Sequence, residues 1–305
     1  MVEIGTGHIC SAHRDADGVT SAVLLAHAGV IKEVFFPEDF GEVKFRGKIA
    51  TLVVDQVPND PTWDKICVDH HPDHPETRAY KLIHDSVPAS LLVYRLVKDK
   101  IEYKYAWKVA VGLVGDGQPE LIPLEIWENY PELLEEVGNV RDYQGRTYLS
   151  TYPVYTLLSS YINAPCRLGQ PYEAYIILKN ATSPYDIVRN VKLKAFKDTL
   201  RKEADRILKN YSAIVIRSVI LWIVSSDYNV GFLASRLQSD KSKTVVLVNE
   251  KTRQGSIRGA LATLLKERLN RQGFKVGGHS GFCGFKLDKD QTVEEFVDAL
   301  RKVVP

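Results

Sequence analysis

Short apolar runs alternate with helically spaced apolar positions along the first half of the chain. Gly7 to Ala12, Glu33 to Phe36, Ile49 to Val54 and Ile66 to Val68 are short, apolar and β-branched enough for buried strands. Between and after them, Val19 to Gly29, Pro88 to Lys98 and Tyr105 to Val114 repeat apolar residues at helical spacing. This alternation predicts an α/β fold on an open, mostly parallel sheet with helices on both faces. In such sheets ligands gather beyond the carboxyl ends of the strands. Three of the strands run straight into polar clusters: Ser11-Ala-His-Arg-Asp-Ala-Asp-Gly18, Asp55-Gln56 and Asp69-His-His71.

The pattern changes near residue 185. Ser183-Pro184-Tyr185-Asp186 combines an N-cap serine, a proline at the first helical position and an acid at the third, which opens a helix. Apolar residues from Ile187 to Leu208 keep helical spacing among many Lys and Arg, so Asp186 to Lys209 reads as one connecting helix. Beyond it, Ala213 to Ile216 and Val219 to Val224 form a hairpin around Arg217-Ser218. Val230 to Leu237, Ala260 to Leu269 and Val293 to Val303 read as helices, and Thr244 to Val248 and Gly255 to Ile257 as strands. The expected organisation is residues 1–184 as a catalytic metal-binding domain, 185–211 as the connecting helix and 212–305 as a smaller mixed α/β domain. The active site is expected in the cleft between the two domains.

Composition narrows the class. A chain of 305 residues that is 45% hydrophobic and 26% charged is an ordinary globular one, long enough for two cores. The longest apolar stretch, Val219 to Val224, is far below the ~18 residues of a membrane span. Glu3 and His8 precede any apolar run, so no signal peptide is expected. Cys10, Cys67, Cys166 and Cys283 are scattered without a Cys-x-x-Cys pair, which points to free thiols and a cytoplasmic location. The net charge of +2 conceals an asymmetry: residues 1–185 hold 17 Lys+Arg and 25 Asp+Glu, residues 186–305 hold 23 and 13. An acidic half can concentrate divalent cations, and a basic half can hold a polyanion.

The candidate chemistry lies in the order of the acids. Asp15 and Asp17, one residue apart after the first strand, can serve two different cations, and Asp55, Asp69-His70-His71 and Asp116 follow later segment ends. Taken singly, Asp-x-Asp-Gly is as often a turn, a His-His pair is usually structural, and an Asp after a strand is commonly a helix cap. Their recurrence behind apolar runs that could end at one sheet edge favours a common site. Carboxylates mixed with imidazole and without thiolate suit Mn²⁺, with Mg²⁺, Fe²⁺, Co²⁺ or Zn²⁺ as alternatives. A carboxylate bridging two metals about 3.5–4 Å apart is the hydrolytic logic of many phosphoesterases. Walker A, nucleophile-elbow and dinucleotide-binding signatures are absent from the sequence.

These segments resemble the motifs of the DHH phosphoesterase superfamily over nearly the whole chain: His13-Arg-Asp15-Ala-Asp17-Gly18, Val54-Asp55, Asp69-His70-His71 and Gly115-Asp116. In the second half, Ser256-Ile-Arg258, Gly277-Gly278-His279 and Gly284 are similar to the motifs of the DHH-associated C-terminal domain. Ile162-Asn163-Ala-Pro-Cys-Arg167-Leu-Gly169 looks like the Asn-Ala-Ala-Gly-Arg segment of RecJ-like, archaeal-type single-strand exonucleases. The resemblance implies a manganese-dependent exonuclease of DNA repair or replication with two divalent ions. Asp15, Asp17, Asp55, His70 and Asp116 would be the ligands, with Asp55 the bridge and His13 a further candidate. His71 would stand beside the scissile phosphate. Asn163, Arg167, Ser256, Arg258, Gly277, Gly278 and His279 would bind the substrate.

Departures from the family pattern are specific. Many members carry a ligand histidine four residues before the first acid, where this chain has Ser11. Phe282-Cys283 replaces an Ala-Ala pair and Pro165-Cys166 replaces Ala-Gly. His74 reads as a solvated loop residue, with support of the metal-site residues from behind as the alternative. Single-stranded DNA or RNA is the expected substrate and no membrane is expected. The alternatives are a phosphoesterase of short oligonucleotides, linear products of cyclic dinucleotides or nucleoside bisphosphates, and a non-catalytic replication- or repair-associated binding module. A helicase or replication protein is the candidate partner, with the basic helix Asp186 to Lys209 as a candidate docking surface; the favoured reading of that helix is a packed and solvated connector.

Overall fold

The computed structural model describes residues 4–305 apart from 73, 76, 144–145, 229–230, 239–241 and 280, and leaves aside the side chains of 139–149, 235 and 279. The chain divides into two compact units, Met1–Asp198 and Thr199–Pro305.

The first unit is built on a five-stranded parallel sheet. Its strands are β1 (His8–Ala12), β2 (Ile31–Phe35), β5 (Leu52–Val54), β6 (Ile66–Asp69) and β7 (Lys81–His84), in the order β2-β1-β5-β6-β7. A short hairpin, β3 (Lys44–Phe45) and β4 (Lys48–Ile49), lies between β2 and β5 in the chain. Central strands of a parallel sheet are buried on both faces and therefore read as unbroken apolar runs. In β5, Leu52 and Val54 join the main core while Val53 points into a second cluster with Phe35, Val43, Ala50, Trp63, Cys67 and Tyr80.

Helices pack on the main-core face: α1 (Ala16–His27), α2 (Ala89–Val97), α3 (Val109–Gly115), α5 (Val154–Arg167) and α6 (Pro171–Asn180) all contribute to it. The sequence predicts helices on both faces, but among the described residues the second cluster takes its members from strands and the non-helical segments between them. Trp63 fills this layer instead, its indole N–H donating to Ala50 O at 2.7 Å. Helix α4 (Leu124–Asn129) and the hairpin β8 (Glu136–Tyr143) with β9 (Arg146–Pro153) precede α5.

The expected connecting helix is interrupted. Ser183 and Asp186 form a capping box on α7 (Pro184–Val188), as the sequence indicates. A second helix, α8 (Val191–Asn210), starts after Asn190, whose Oδ1 accepts from the N–H groups of Lys192 and Leu193 at 3.0 and 3.1 Å. The asparagine supplies a new N-cap inside the apolar periodicity, so one helix becomes two.

The second unit carries a mixed six-stranded sheet, β10-β11-β12-β13-β15-β14. It comprises β10 (Ile214–Ile216), β11 (Val219–Val224), β12 (Thr244–Asn249), β13 (Gln254–Arg258), β14 (Val276–His279) and β15 (Phe282–Lys286), with only β11 and β12 parallel. Helices α10 (Ala262–Arg271) and α11 (Val293–Val303) cover one face, where Phe296 stacks on Phe285 with centroids 4.4 Å apart. The other face packs on α9 (Gly231–Leu237) and the end of α8 through Ala204, Ile207, Leu233 and Leu247. The four cysteines are free and buried. No helix of the described residues is long and apolar enough to cross a membrane.

Candidate metal centre

The strand order reverses at β1, with β2 on one side and β5 on the other. At such a switch point the connections leave in opposite directions and open a crevice at the carboxyl ends. His13, Asp15 and Asp17 follow β1, Asp55 follows β5, and Asp69-His70-His71 ends β6. Asp116 arrives from the end of α3.

These side chains converge. His13 Nδ1 lies 3.0 Å from Asp15 Oδ2 and 3.4 Å from Asp55 Oδ2. His70 Nε2 lies 3.3 Å from Asp55 Oδ1 and 3.2 Å from Asp116 Oδ2. Among the described residues, three sets of ligand atoms each fall within 4.8 Å of one another: His13, Asp15 and Asp55; Asp17, His70 and Asp116; and Asp55, Asp69, His70 and His71. Asp55 is common to two of them and contacts His70 of the other. Its φ of +57° puts a non-glycine residue in the left-handed region, a strain concentrated at the residue that links the sets.

Two glycines make the convergence sterically feasible. A Cβ on Gly18 would stand 2.4 Å from His13 O, and one on Gly112 of α3 would stand 2.6 Å from Asp17 Oδ1. Asp15 is the N-cap of α1, its Oδ1 accepting from Gly18 N at 3.0 Å. Asp17 is held by the start of α2, accepting from Ala89 N at 2.7 Å and Ser90 N at 3.0 Å. The helix-cap role that a lone aspartate commonly takes is thus realised here together with the convergence.

The electrostatics of this cluster suit a cation. Burial, reinforced by the charges of Asp15 and Asp17, raises the Asp55 carboxyl well above its ordinary value. Burial and the charges of Asp17, Asp55 and Asp15 push Asp116 up to about 10. Burial also raises Asp17. Burial would likewise lift Asp15, but His13 and the Gly18 N–H outweigh it and lower its pKa. Burial alone would lower His13, yet the Asp15 and Asp55 carboxylates raise it well above 6.5. His13 Nδ1, Asp55 Oδ2 and Asp116 Oδ2 are buried and make no hydrogen bond. Crowded carboxylates with unsatisfied inward oxygens and adjacent imidazoles fit a divalent metal ion.

Ser11, where the resemblance leads one to look for a histidine, is fully buried. Its hydroxyl donates to Glu42 O and accepts from Gln56 Nε2, both at 2.8 Å. It braces the loops, while His13 brings an imidazole to the cluster from two residues later.

Around this centre the placements vary. Asn163 Oδ1 accepts from Ala16 N at 2.8 Å, so α5 is tied to the first turn of α1. Arg167 ends α5; burial lowers its pKa, against the charge of Asp15. His71 Nδ1 lies 2.8 Å from Asp69 Oδ1. Burial opposes protonation of His71, but Asp69 raises its pKa overall. Ser256, Arg258, Gly277 and Gly278 belong to strands β13 and β14 of the second unit. There Ser256 Oγ donates to Cys283 O at 3.3 Å and Arg258 Nη1 to the same oxygen at 3.0 Å. Gly278 has φ +115° with Phe282 O 2.3 Å from a Cβ position, which explains the glycine. His279 ends β14, and its side chain lies outside the described residues.

Three residues were not legible as part of the site. Phe40, 45% exposed, sits with its ring 5.2 Å from both His13 and His71. Arg14 lies between two cluster residues and reaches Glu38 at 3.9 Å. His74 is not solvated: its side chain is 6% exposed and its Nε2 lies 2.9 Å from Asp69 Oδ2. For Arg14 and His74 the available signal was adjacency to the motif acids.

No family model matches the sequence, and no curated protein matches it. Solved structures do match. RecJ from Thermus thermophilus in complex with Mn²⁺ superposes with a TM-score of 0.65 at 16% identity, over 98% of this chain and 53% of that one. The chain thus spans about half the length of that RecJ. The DHH domain of a member of the s1p family of ribosomal proteins gives 0.63 at 14% identity, covering 99% and 88%. A pGpG-specific phosphodiesterase from Vibrio cholerae gives 0.54 at 14% identity, covering 97% and 98%.

Proposed function

We propose that this chain, which has the RecJ-like fold of the DHH phosphoesterases, is a divalent-metal-dependent phosphodiesterase that removes nucleotides from one end of single-stranded DNA or RNA. The observation that carries the reading is the convergence of Asp15, Asp17, Asp55, His70 and Asp116 with buried oxygens lacking hydrogen bonds. His13, Asp15 and Asp55 would hold one ion, and Asp17, His70 and Asp116 a second, with Asp55 shared. Bound Mn²⁺, or Mg²⁺, Co²⁺ or Zn²⁺ in its place, supplies Lewis-acid activation of water and neutralises phosphoryl charge.

The chain's own residues do the rest. His71, its Nδ1 held by Asp69, leaves Nε2, as an N–H of the protonated ring that Asp69 favours, to stabilise charge growing on a phosphoryl oxygen. Arg167 offers a guanidinium fork for a neighbouring phosphate. Phe40 gives a nucleobase an exposed ring beside His71, a feature that favours a nucleotide over inorganic phosphate. Ser256, Arg258, Gly277, Gly278 and His279 are the proposed phosphate-binding set of the second unit, whose excess of Lys and Arg suits a polyanion. A helicase or replication protein is the proposed partner, with α7 and α8 as its surface.

A second reading, hydrolysis of dinucleotides or other short substrates, is favoured by one observation: the pGpG-specific enzyme matches along nearly all of both chains. A length series separates the two. End-labelled DNA and RNA of ~20 nucleotides, with a labelled dinucleotide, are incubated in Mn²⁺ and in chelator across a salt range. Metal-dependent laddering from one end, with polymer affinity falling as salt rises, supports the exonuclease. Cleavage of the dinucleotide alone supports the second reading, and no cleavage supports a binding module.

A further inference from the structure

Asp69 carries both of its carboxylate oxygens on histidines. Oδ1 meets His71 Nδ1 at 2.8 Å and Oδ2 meets His74 Nε2 at 2.9 Å. On its far side His74 Nδ1 meets Tyr80 Oη at 2.7 Å. Asp69 is fully buried at the end of β6, and the Tyr80 ring packs in the second core beside Trp63. His84, at the end of β7, holds the His71 carbonyl through Nε2 at 3.0 Å. The chain Tyr80, His74, Asp69, His71 therefore runs from the core to the metal centre, each link within hydrogen-bond distance.

The donors order themselves. A tyrosine hydroxyl donating to His74 Nδ1 leaves the proton of that neutral ring on Nε2, which then donates to Asp69. Asp69, a carboxylate with only acceptors, takes that bond on one oxygen and the His71 Nδ1–H on the other. His71 is thereby left with its Nε2 as the free ring nitrogen.

We infer that His74 is a positioning residue: through Asp69 it fixes the ring orientation of His71 by holding the bond from its Nδ1 to Asp69, with Tyr80 fixing His74 in turn. A histidine held this way presents one nitrogen in one direction without reorganising during the reaction. Without His74, Asp69 Oδ2 is a buried carboxylate oxygen lacking its partner, and the carboxylate is free to rotate away from His71. The inference rests on His71 acting at the phosphoryl group as proposed above.

The test uses the full chain and two variants, His74→Leu and His74→Gln, the latter able to place an N–H near the Nε2 position. With the oligonucleotide substrate, His74→Leu lowers kcat by about 10–100-fold, the range for removing an outer partner of a metal-site residue, while KM and Mn²⁺ affinity hold. His74→Gln restores most of kcat. Histidine ¹⁵N spectra of the metal-free protein give a readout independent of activity. In wild type and His74→Gln the His71 Nδ1 carries a proton hydrogen-bonded to Asp69, and in His74→Leu that signal is lost. Unchanged kcat in folded His74→Leu, equal losses in both folded variants, or a wild-type His71 with no proton on Nδ1 would each overturn the inference. If the wild type cleaves no substrate, the functional reading fails and the ¹⁵N spectra still decide the role of His74. If His74→Leu does not fold, His74→Gln and the wild-type protons on His74 Nε2 and His71 Nδ1 decide it.

Discussion

Asp116→Asn tests whether the acidic cluster is held in the fold at the cost of stability. Asp116 is 14% exposed at the side chain, faces His70 at 3.2 Å and leaves Oδ2 without a hydrogen bond. Its pKa rises from 3.8 to about 10 through burial and the charges of Asp17, Asp55 and Asp15. A carboxyl whose folded pKa lies above its unfolded one contributes most below the unfolded value and loses that stability as pH rises toward the folded one. At pH 7 the metal-free protein has crossed about three pH units of this window, and each unit is about 1.4 kcal/mol, so the loss approaches ~4 kcal/mol. Asparagine keeps the shape and carries no charge. In chelator at pH 7, Asp116→Asn is expected to be more stable than wild type by about 2–4 kcal/mol once local relaxation absorbs part of the cost. Urea unfolding should also show a flatter dependence between pH 5 and 8. With Mn²⁺ the order reverses, because the wild type gains binding energy that the variant loses. A destabilised variant in chelator would refute the reasoning, since it would mean that Asp116 is satisfied without a cation.

Other expectations follow from single contacts. Lys108 is fully buried with its Nζ 2.9 Å from both His27 Nε2 and Lys179 O, and burial lowers its pKa to about 7. The unfolded chain then binds the extra proton between about pH 7 and 10.5, so stability rises with pH there; Lys108→Met should flatten that rise and stabilise the protein at pH 7 by about 1–3 kcal/mol, read by urea unfolding at pH 7, 8 and 9. Gly18→Ala puts a Cβ 2.4 Å from His13 O, and should cost about 2–3 kcal/mol and weaken Mn²⁺ binding in calorimetry. Asn163→Ala removes the acceptor of the Ala16 N–H and should lower stability by about 1 kcal/mol in thermal unfolding.

The positions of the acids were legible because parallel strands confine polar residues to their carboxyl ends, where β1, β5 and β6 deliver Asp15, Asp55 and Asp69. What was not legible depended on exposure, capping and burial that the apolar pattern does not carry. β7 is an edge strand of intermediate and exposed residues, so Lys81–His84 lacks the apolar run that marks β5. Pro165 argues locally against the helix that carries Asn163 and Arg167, yet it sits near the end of α5, where the loss of one donor is tolerated. Asn190 restarts a helix within an unbroken apolar rhythm. Trp63 and Tyr80 replace the helices expected on the second sheet face. His74 reads as a loop residue in sequence and is buried because Asp69 and Tyr80 enclose it.

The most direct measurement is calorimetric titration of Mn²⁺ into the metal-free wild type and Asp55→Ala, with circular dichroism confirming the fold of each. A metal centre at the β1–β5 switch point predicts saturable binding by the wild type and its loss in folded Asp55→Ala. Binding that survives that substitution unchanged, or none in the wild type, would contradict it.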